Sequence, residues 1–454
     1  MTRDGLLRIA EAAVKAAKQA GAPDSEAFVL RDASGSVHVE RSDLGGVETD
    51  TSFGIGLRVY DQGRIGFAYV TSLDAVKDGV KAARGSARIS RRLPGFRFAA
   101  PRKLPRIAGL FDKRLESLQG PEAIEMAWDL VRSAVDVDAK LNVSEAGVAF
   151  GVSGCAVANS EGVGVEHHET MLHASCFVVQ NEQGVSTGFA ARDSNRRDIK
   201  PAELGRKAAR LALDARNPKP LPKGGRLPVI LRPEPASDLV DTITLSALHG
   251  KDARRGESFY SGKKGKPVAH RSFSLIDDPT SAEGLGSAPF DDEGEASRRL
   301  APIQRGILQG YVFDRAAAAE FKERATASAI RVHGFDGRSY KAPPSATGRN
   351  VHLAAPSTKT DRLIAGIDDG LLIHDLMGVH TANIVSGDFS VTSSLLFRIR
   401  KGAIEGPIAP VSVAGNFHQV LKAGIRLGDD VKAMAGETAI AIPSLRTDEL
   451  TVTP

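Results

Sequence analysis

Apolar residues at the start of the chain fall at Leu6, Ile9, Ala10, Ala13, Val14 and Ala17 with charges between them. That helical periodicity predicts an opening helix, with Asp4 as its N-cap. The pattern then changes to alternation in Glu26–Leu30, Ser36–Glu40, Gly54–Tyr60 and Arg64–Val70, broken at Gly45-Gly46 and at Asp61-Gln62-Gly63. Period-two segments separated by such residues predict antiparallel strands and hairpins. A helix follows at about Leu73 to Ala87, and Pro121 opens another through about Ala139, carrying the single tryptophan, Trp128. Residues 142 to 190 alternate again, and Pro201 to Ala215 is helical.

Four prolines and two glycines crowd into residues 217–228, which marks the boundary between an N-terminal domain, 1–216, and a C-terminal domain, 229–454. The second half opens with a strand at Val229 and a helix from about Pro235 to Leu248. Mostly strand and loop follow, with short helices near Ala316–Arg324 and Lys359–Ile367. Strands grouped with strands, and helices not interleaved one for one, predict an α+β fold of two domains, each with largely antiparallel sheet and a few packed helices.

The length of 454 residues suits two cores, and 42% hydrophobic with 25% charged residues is the composition of an ordinary globular protein. No apolar run approaches the ~18 residues needed to span a bilayer. The N-terminus has the charge spacing of a helix rather than an uninterrupted signal-peptide core, so a cytoplasmic location is expected. The only cysteines, Cys155 and Cys176, sit among small and apolar residues and read as two buried thiols. A net charge of +5 does not by itself indicate a polyanionic partner. Residues 81–106 hold nine basic and no acidic side chains, but Pro94, Pro101 and Pro105 favour a solvated connecting loop over a phosphate-tracking surface.

One string has the residue types of a zinc hydrolase: His168-Glu-Thr-Met-Leu-His173, preceded by His167. Its surroundings read as strand, and residues five apart on a strand point to opposite faces. His168 and His173 would then share no metal, while His167 and Glu169 would share the face opposite His168.

A second constellation runs through the C-terminal half: Asp252-Ala-Arg-Arg-Gly-Glu-Ser-Phe-Tyr, Ser287-Ala-Pro-Phe-Asp-Asp-Glu-Gly, Gly306-Ile-Leu-Gln-Gly-Tyr, Asp369-Gly-Leu-Leu-Ile-His-Asp-Leu-Met-Gly, Ser386-Gly-Asp-Phe-Ser, Val413-Ala-Gly-Asn-Phe and Gly428-Asp-Asp. In this order, and with the strand pair Gly54–Val70, they make the chain resemble the TldD/PmbA peptidase family over nearly its whole length. The resemblance implies that the helix before Arg254-Arg255-Gly256 occupies the place where TldD members carry His-Glu-x-x-x-His, holding zinc and the catalytic glutamate. Here those positions are Asp241, Thr242 and Ser246. Thr242 cannot act as a general base and Ser246 is a poor zinc ligand. A further ligand cysteine expected in the C-terminal region is also missing, because no cysteine follows Cys176. His249 lies within helical reach of the same face, although beside Gly250 it reads rather as a cap on exposed carbonyls.

The chain therefore resembles the TldE (PmbA) branch, which implies a zinc-free subunit, with no cofactor of its own, that pairs with a zinc-bearing TldD-like subunit and helps hold an extended peptide. No membrane or nucleic-acid partner is expected, and homodimerisation stays open. Two rival readings remain at this point: a self-sufficient metallopeptidase using His167, His168 or His249, and a nucleic-acid or regulatory binding protein using residues 81–106 with Phe96 and Phe98 for stacking.

Overall fold

The computed structural model describes residues 5–41, 43–181, 184–333 and 337–454; Asp4, the expected N-cap, lies outside them. The first sheet is antiparallel and six-stranded, in the order β3-β2-β1-β4-β5-β6. Its strands are β1 (Ser25–Glu40), β2 (Asp43–Asp61), β3 (Arg64–Val70), β4 (Asn142–Asn159), β5 (Gly164–Gln180) and β6 (Ser186–Ser194). The segments Glu26–Leu30 and Ser36–Glu40, expected as separate strands, belong to the single strand β1. Gly45-Gly46, expected as a break, lies inside β2, because β1 and β2 stay paired along their whole lengths with one bulge between His38 and Val39. Cross-strand pairing overrode the local turn signal.

Among the described residues five helices belong to this half: α1 (Leu6–Gln19), α2 (Val76–Ile89), α3 (Lys113–Glu116), α4 (Gly120–Val135) and α5 (Pro201–Asp214). Odd-numbered residues of β1 face them. Ala27 and Val29 pack with α1 and α2 around Ala10, Ala13 and Val80, and Val37 and Val39 pack with α4 and α5 around Leu130 and Ala208. Alanine stripes let these helices lie close to the sheet. The other face of β1 carries Phe28 and Leu30, which meet Phe290 and Tyr340 of the C-terminal half.

The chain then enters β7 (Gly225–Leu231), which begins within the Pro/Gly-rich segment. β7 pairs antiparallel with Leu445–Thr453 and parallel with Asp369–Ile373 inside an eight-stranded sheet. A six-stranded sheet contains Ser274–Asp277, Asn350–Ala354 and Ala439–Ile442. One large core joins the two, with Leu231, Leu275, Val351, Ile440 and Leu445 all buried. The helical segment after β7 runs into this core through Leu239, Ile243 and Leu248. The molecule is α+β, as the grouping of the periodicities predicted. Among the described residues no helix is long and apolar enough to cross a membrane.

Candidate functional site

The segment expected as one helix from Pro235 to Leu248 is three joined pieces: α6 (Pro233–Leu239), a π-helical turn over Val240–Leu245, and a 3₁₀ turn over Ser246–Leu248. The π-turn changes which residues share a face. Its hydrogen bonds run from residue i+5 to residue i, and Ser246 N donates to Asp241 O in this way. Residues five apart therefore stack, as residues four apart do in an α-helix. A His-Glu-x-x-x-His motif places its histidines five apart, and Asp241 and Ser246 stand at that same spacing on this turn.

The side chains do not fit zinc. Asp241 offers a carboxylate, Thr242 a hydroxyl, and Ser246 a hydroxyl that donates to its own helix at Asp241 O, 3.5 Å away. Neither hydroxyl is a zinc ligand of ordinary kind. Among the described residues no three His, Cys, Asp or Glu side chains are placed to hold a metal. The charge around the turn is acidic. Burial pushes the Asp241 carboxyl up to about 6, with Glu437 and Asp238 adding to the shift, and burial and Glu234 push Asp238 to about 6. Both aspartates keep open surface, so the shift comes from protein mass crowding a crevice rather than from complete enclosure.

His249 does not cap the preceding carbonyls with its side chain. It is an extended residue leading into the helix Gly250–Arg255, with Nδ1 3.7 Å from Asp252 Oδ2. Burial lowers its pKa, which keeps the ring neutral.

The histidine string lies within β5, on two faces. His168 Nε2 meets Glu166 Oε1 at 2.8 Å, on the side where Leu7 N also donates to Glu166. His173 Nδ1 pairs with Asp193 Oδ1 at 2.8 Å. His167 Nε2 approaches Glu169 Oε2 at 3.6 Å on the other face. The three rings thus go to three different carboxylates. Burial raises the Glu169 carboxyl, but His167 and Arg338 outweigh it and hold the group down at about 2.

Residues 81–106 are not a free basic loop. After α2, Phe96 and Phe98 are buried against Tyr60, Ile65, Ala316 and Ala319, and Arg97 O accepts from Arg315 Nε at 2.7 Å. The strap ties the first sheet to the C-terminal half, and the two rings proposed for base stacking are consumed in packing. Cys155 and Cys176 are both buried free thiols that burial pushes up to about 12.

The densest chemistry lies where the two halves meet. Arg58 of β2 donates from Nε and Nη2 to both oxygens of Glu26 of β1, at 2.9 and 2.8 Å, and from Nη1 to Glu293 at 2.7 Å. Arg331 Nη2 donates to the same Glu26 at 2.7 Å, and its guanidinium lies 4.8 Å from the Phe28 ring centroid. Arg338 forks onto Asp292 and reaches Glu169. Asp291 caps the loop by accepting from the backbone of Glu293, Glu295 and Ala329. The Ser287–Gly294 block is thus a buried acidic loop clamped by arginines from both halves. Gly54 lets the C-terminal half approach: a Cβ there would lie 2.2 Å from the Tyr340 ring.

Above this clamp opens a cavity of about 660 Å³. Its floor is the C-terminal-facing side of the first sheet, where register aligns Ser52, Asp32, Ser153 and Glu169 in one row across β2, β1, β4 and β5. The walls come from the C-terminal half, including Tyr340, Lys341, Arg349 and Glu437. Asp32 accepts from Ser52 and Ser153, and burial raises its pKa against both bonds. Of these residues the sequence pointed only to Glu169, because which side chains line up across a sheet depends on register between distant strands.

Comparison with known proteins agrees along the chain. The profile of PmbA/TldA metallopeptidase domain 1 matches residues 25–87, that of the central domain 113–216, and that of the C-terminal domain 224–454. A Haemophilus influenzae protein named metalloprotease PmbA homolog is 26% identical over 92% of this chain and 90% of its own length. A metalloprotease TldD homolog from the same organism is 25% identical over 94% and 90%. The crystal structure of TldE from Thermococcus kodakarensis superposes with a TM-score of 0.88 at 20% identity, covering 98% of this chain and 99% of that one. The chain belongs to the TldD/PmbA metallopeptidase family.

Proposed function

We propose that this protein is the metal-free subunit of a two-part metallopeptidase, pairing with a TldD-like chain that supplies the zinc and the catalytic glutamate. The observation that carries the reading is the π-turn itself: a backbone suited to ligands five residues apart, with residues that cannot serve as ligand pair and base. The work of this chain is to hold an extended peptide beside the partner's metal and to enclose it. An open strand edge supports that role. β3 pairs with β2 only from Ile55 onward, so residues 44–53 of β2 have β1 on one side and no described strand on the other. Such an edge accepts a peptide through backbone hydrogen bonds, with little demand on sequence. A cytoplasmic location suits the pairing.

The test is reconstitution. The purified chain is expected to hold no stoichiometric zinc and to leave unstructured peptides intact, while a mixture with a TldD-like subunit bearing an intact motif cleaves them. Zinc at one per chain together with hydrolysis by this chain alone would overturn the proposal.

A further inference from the structure

The cavity over the first sheet contains a cation that the protein does not pair. Arg349 is 6% exposed and lines the cavity. Its Nη1 donates to Phe290 O at 2.9 Å, and its backbone N–H goes to Asp277 at 3.1 Å. Among the described residues no carboxylate comes within 4.0 Å of its guanidinium, and Nε and Nη2 find no acceptor, although neither is sealed from the cavity. Glu169, Asp277 and Asp291 act on it only from farther away. Among the described residues the other arginines of this junction, buried Arg58 and Arg331 and half-buried Arg338, each have a carboxylate partner at 2.8 Å or less. A guanidinium whose Nε and Nη2 both open on a cavity without a protein acceptor is geometrically suited to a carboxylate.

On the cavity floor lies the opposite charge. Asp32 takes hydrogen bonds from two serines but makes no salt bridge within 4.0 Å among the described residues. Asp50 and Glu437 stand on the same lining. Arg349 and Asp32 thus place opposite charges on the lining of one cavity.

We propose that this cavity binds a short peptide by its two charged ends, the terminal carboxylate on Arg349 and the terminal ammonium on Asp32. An extended residue advances ~3.4 Å, and a cavity of about 660 Å³ is of the size that encloses a ligand of two or three residues. The sheet floor supplies Ser52 and Ser153 beside the ammonium, and Tyr340 forms part of the wall. Side-chain identity matters little to such a site, because both anchors belong to the ends. The inference rests on the peptide-handling role proposed above and names its ligand as product-sized peptide rather than the extended substrate.

The experiment is a calorimetric titration of the full chain, without any partner, with trialanine, with trialanine amide and with N-acetyl-trialanine. Trialanine is expected to bind, and blocking either end is expected to weaken binding about tenfold or more. Arg349→Gln should weaken trialanine to the level of the amide and leave the amide unchanged, and Asp32→Asn should do the same for the acetylated peptide. The ligand-side comparison needs no variant, so a variant that fails to fold does not remove the test. Equal binding of all three peptides, or no heat from trialanine up to about 10 mM, overturns the proposal. Peptidase activity is not measured, so failure of reconstitution and failure of this site are separate results.

Discussion

The π-turn and the inter-domain cavity are neighbours, since Glu437 lines the cavity and also raises the Asp241 carboxyl, yet they are built in opposite ways. At the π-turn the backbone stacks Asp241 on Ser246, five residues apart, and the side chains do not fit zinc. Around the cavity, ordinary strands and loops carry paired and unpaired charges whose arrangement exists only after the two halves meet. The comparison teaches that the two places are legible in different ways: the residues of the turn can be read from one short segment, whereas the charges of the cavity come together only through contacts between distant segments.

The comparison breaks first at the π-turn. Combining Asp241→His, Thr242→Glu and Ser246→His should confer one tightly bound zinc per chain, at about micromolar Kd or better by metal analysis after dialysis. If no zinc is retained, the turn's geometry is not sufficient and the contrast between backbone and chemistry fails.

The clamp comes next. Glu26→Gln leaves Arg58 and Arg331 buried without their shared carboxylate, and breaking a buried pair costs about 3–5 kcal/mol. A loss below about 1 kcal/mol in chemical denaturation would show that water enters the junction. Gly54→Val drives a side chain into Tyr340 and should cost about 1–3 kcal/mol through overpacking. It should also weaken the trialanine binding proposed above, since Tyr340 forms one wall of the cavity.

The smallest effect is electrostatic and sharpens the description of the crevice. Folded Asp238 and Asp241 titrate near 6, above the unfolded value of 3.8. The folded state therefore binds more protons between these values, and stability falls as pH rises through that window. Converting both residues to Asn should leave stability unchanged below about pH 4 and raise it above pH 6, by about 0.5–1 kcal/mol once solvent screening of these exposed groups is allowed for. Equal thermal-melt shifts at pH 4 and pH 7.5 would assign the effect to packing.

Much of the fold was legible locally. The alanine-rich periodicity of α1 and the proline openings of α4 and α5 each carry their own signal. The breaks misread were those where long-range pairing overrode a local cue, as at Gly45-Gly46. The string His168–His173 was placed on a strand by its neighbours, and β5 separates its rings by face as period two demands. Phe96 and Phe98 were open to a surface reading because an aromatic in a basic, proline-containing loop looks the same in sequence whether it stacks on a ligand or anchors a strap.

By itself the sequence determined where helical and alternating stretches follow one another in the first half, the family blocks, and the absence of histidine and glutamate at positions 241, 242 and 246. Only the tertiary structure decided that those positions lie on a π-turn, since the apolar spacing of the segment reads equally as an ordinary helix and its residues Val240 and Ile243 are buried in the core that joins two sheets. The structure alone also decided that Glu26, Arg58, Asp292 and Arg331 form one buried network, and that Arg349 has no carboxylate within ion-pair distance among the described residues. Charges some 300 residues apart are brought together by strand register and domain contact, and neither is written in any local window.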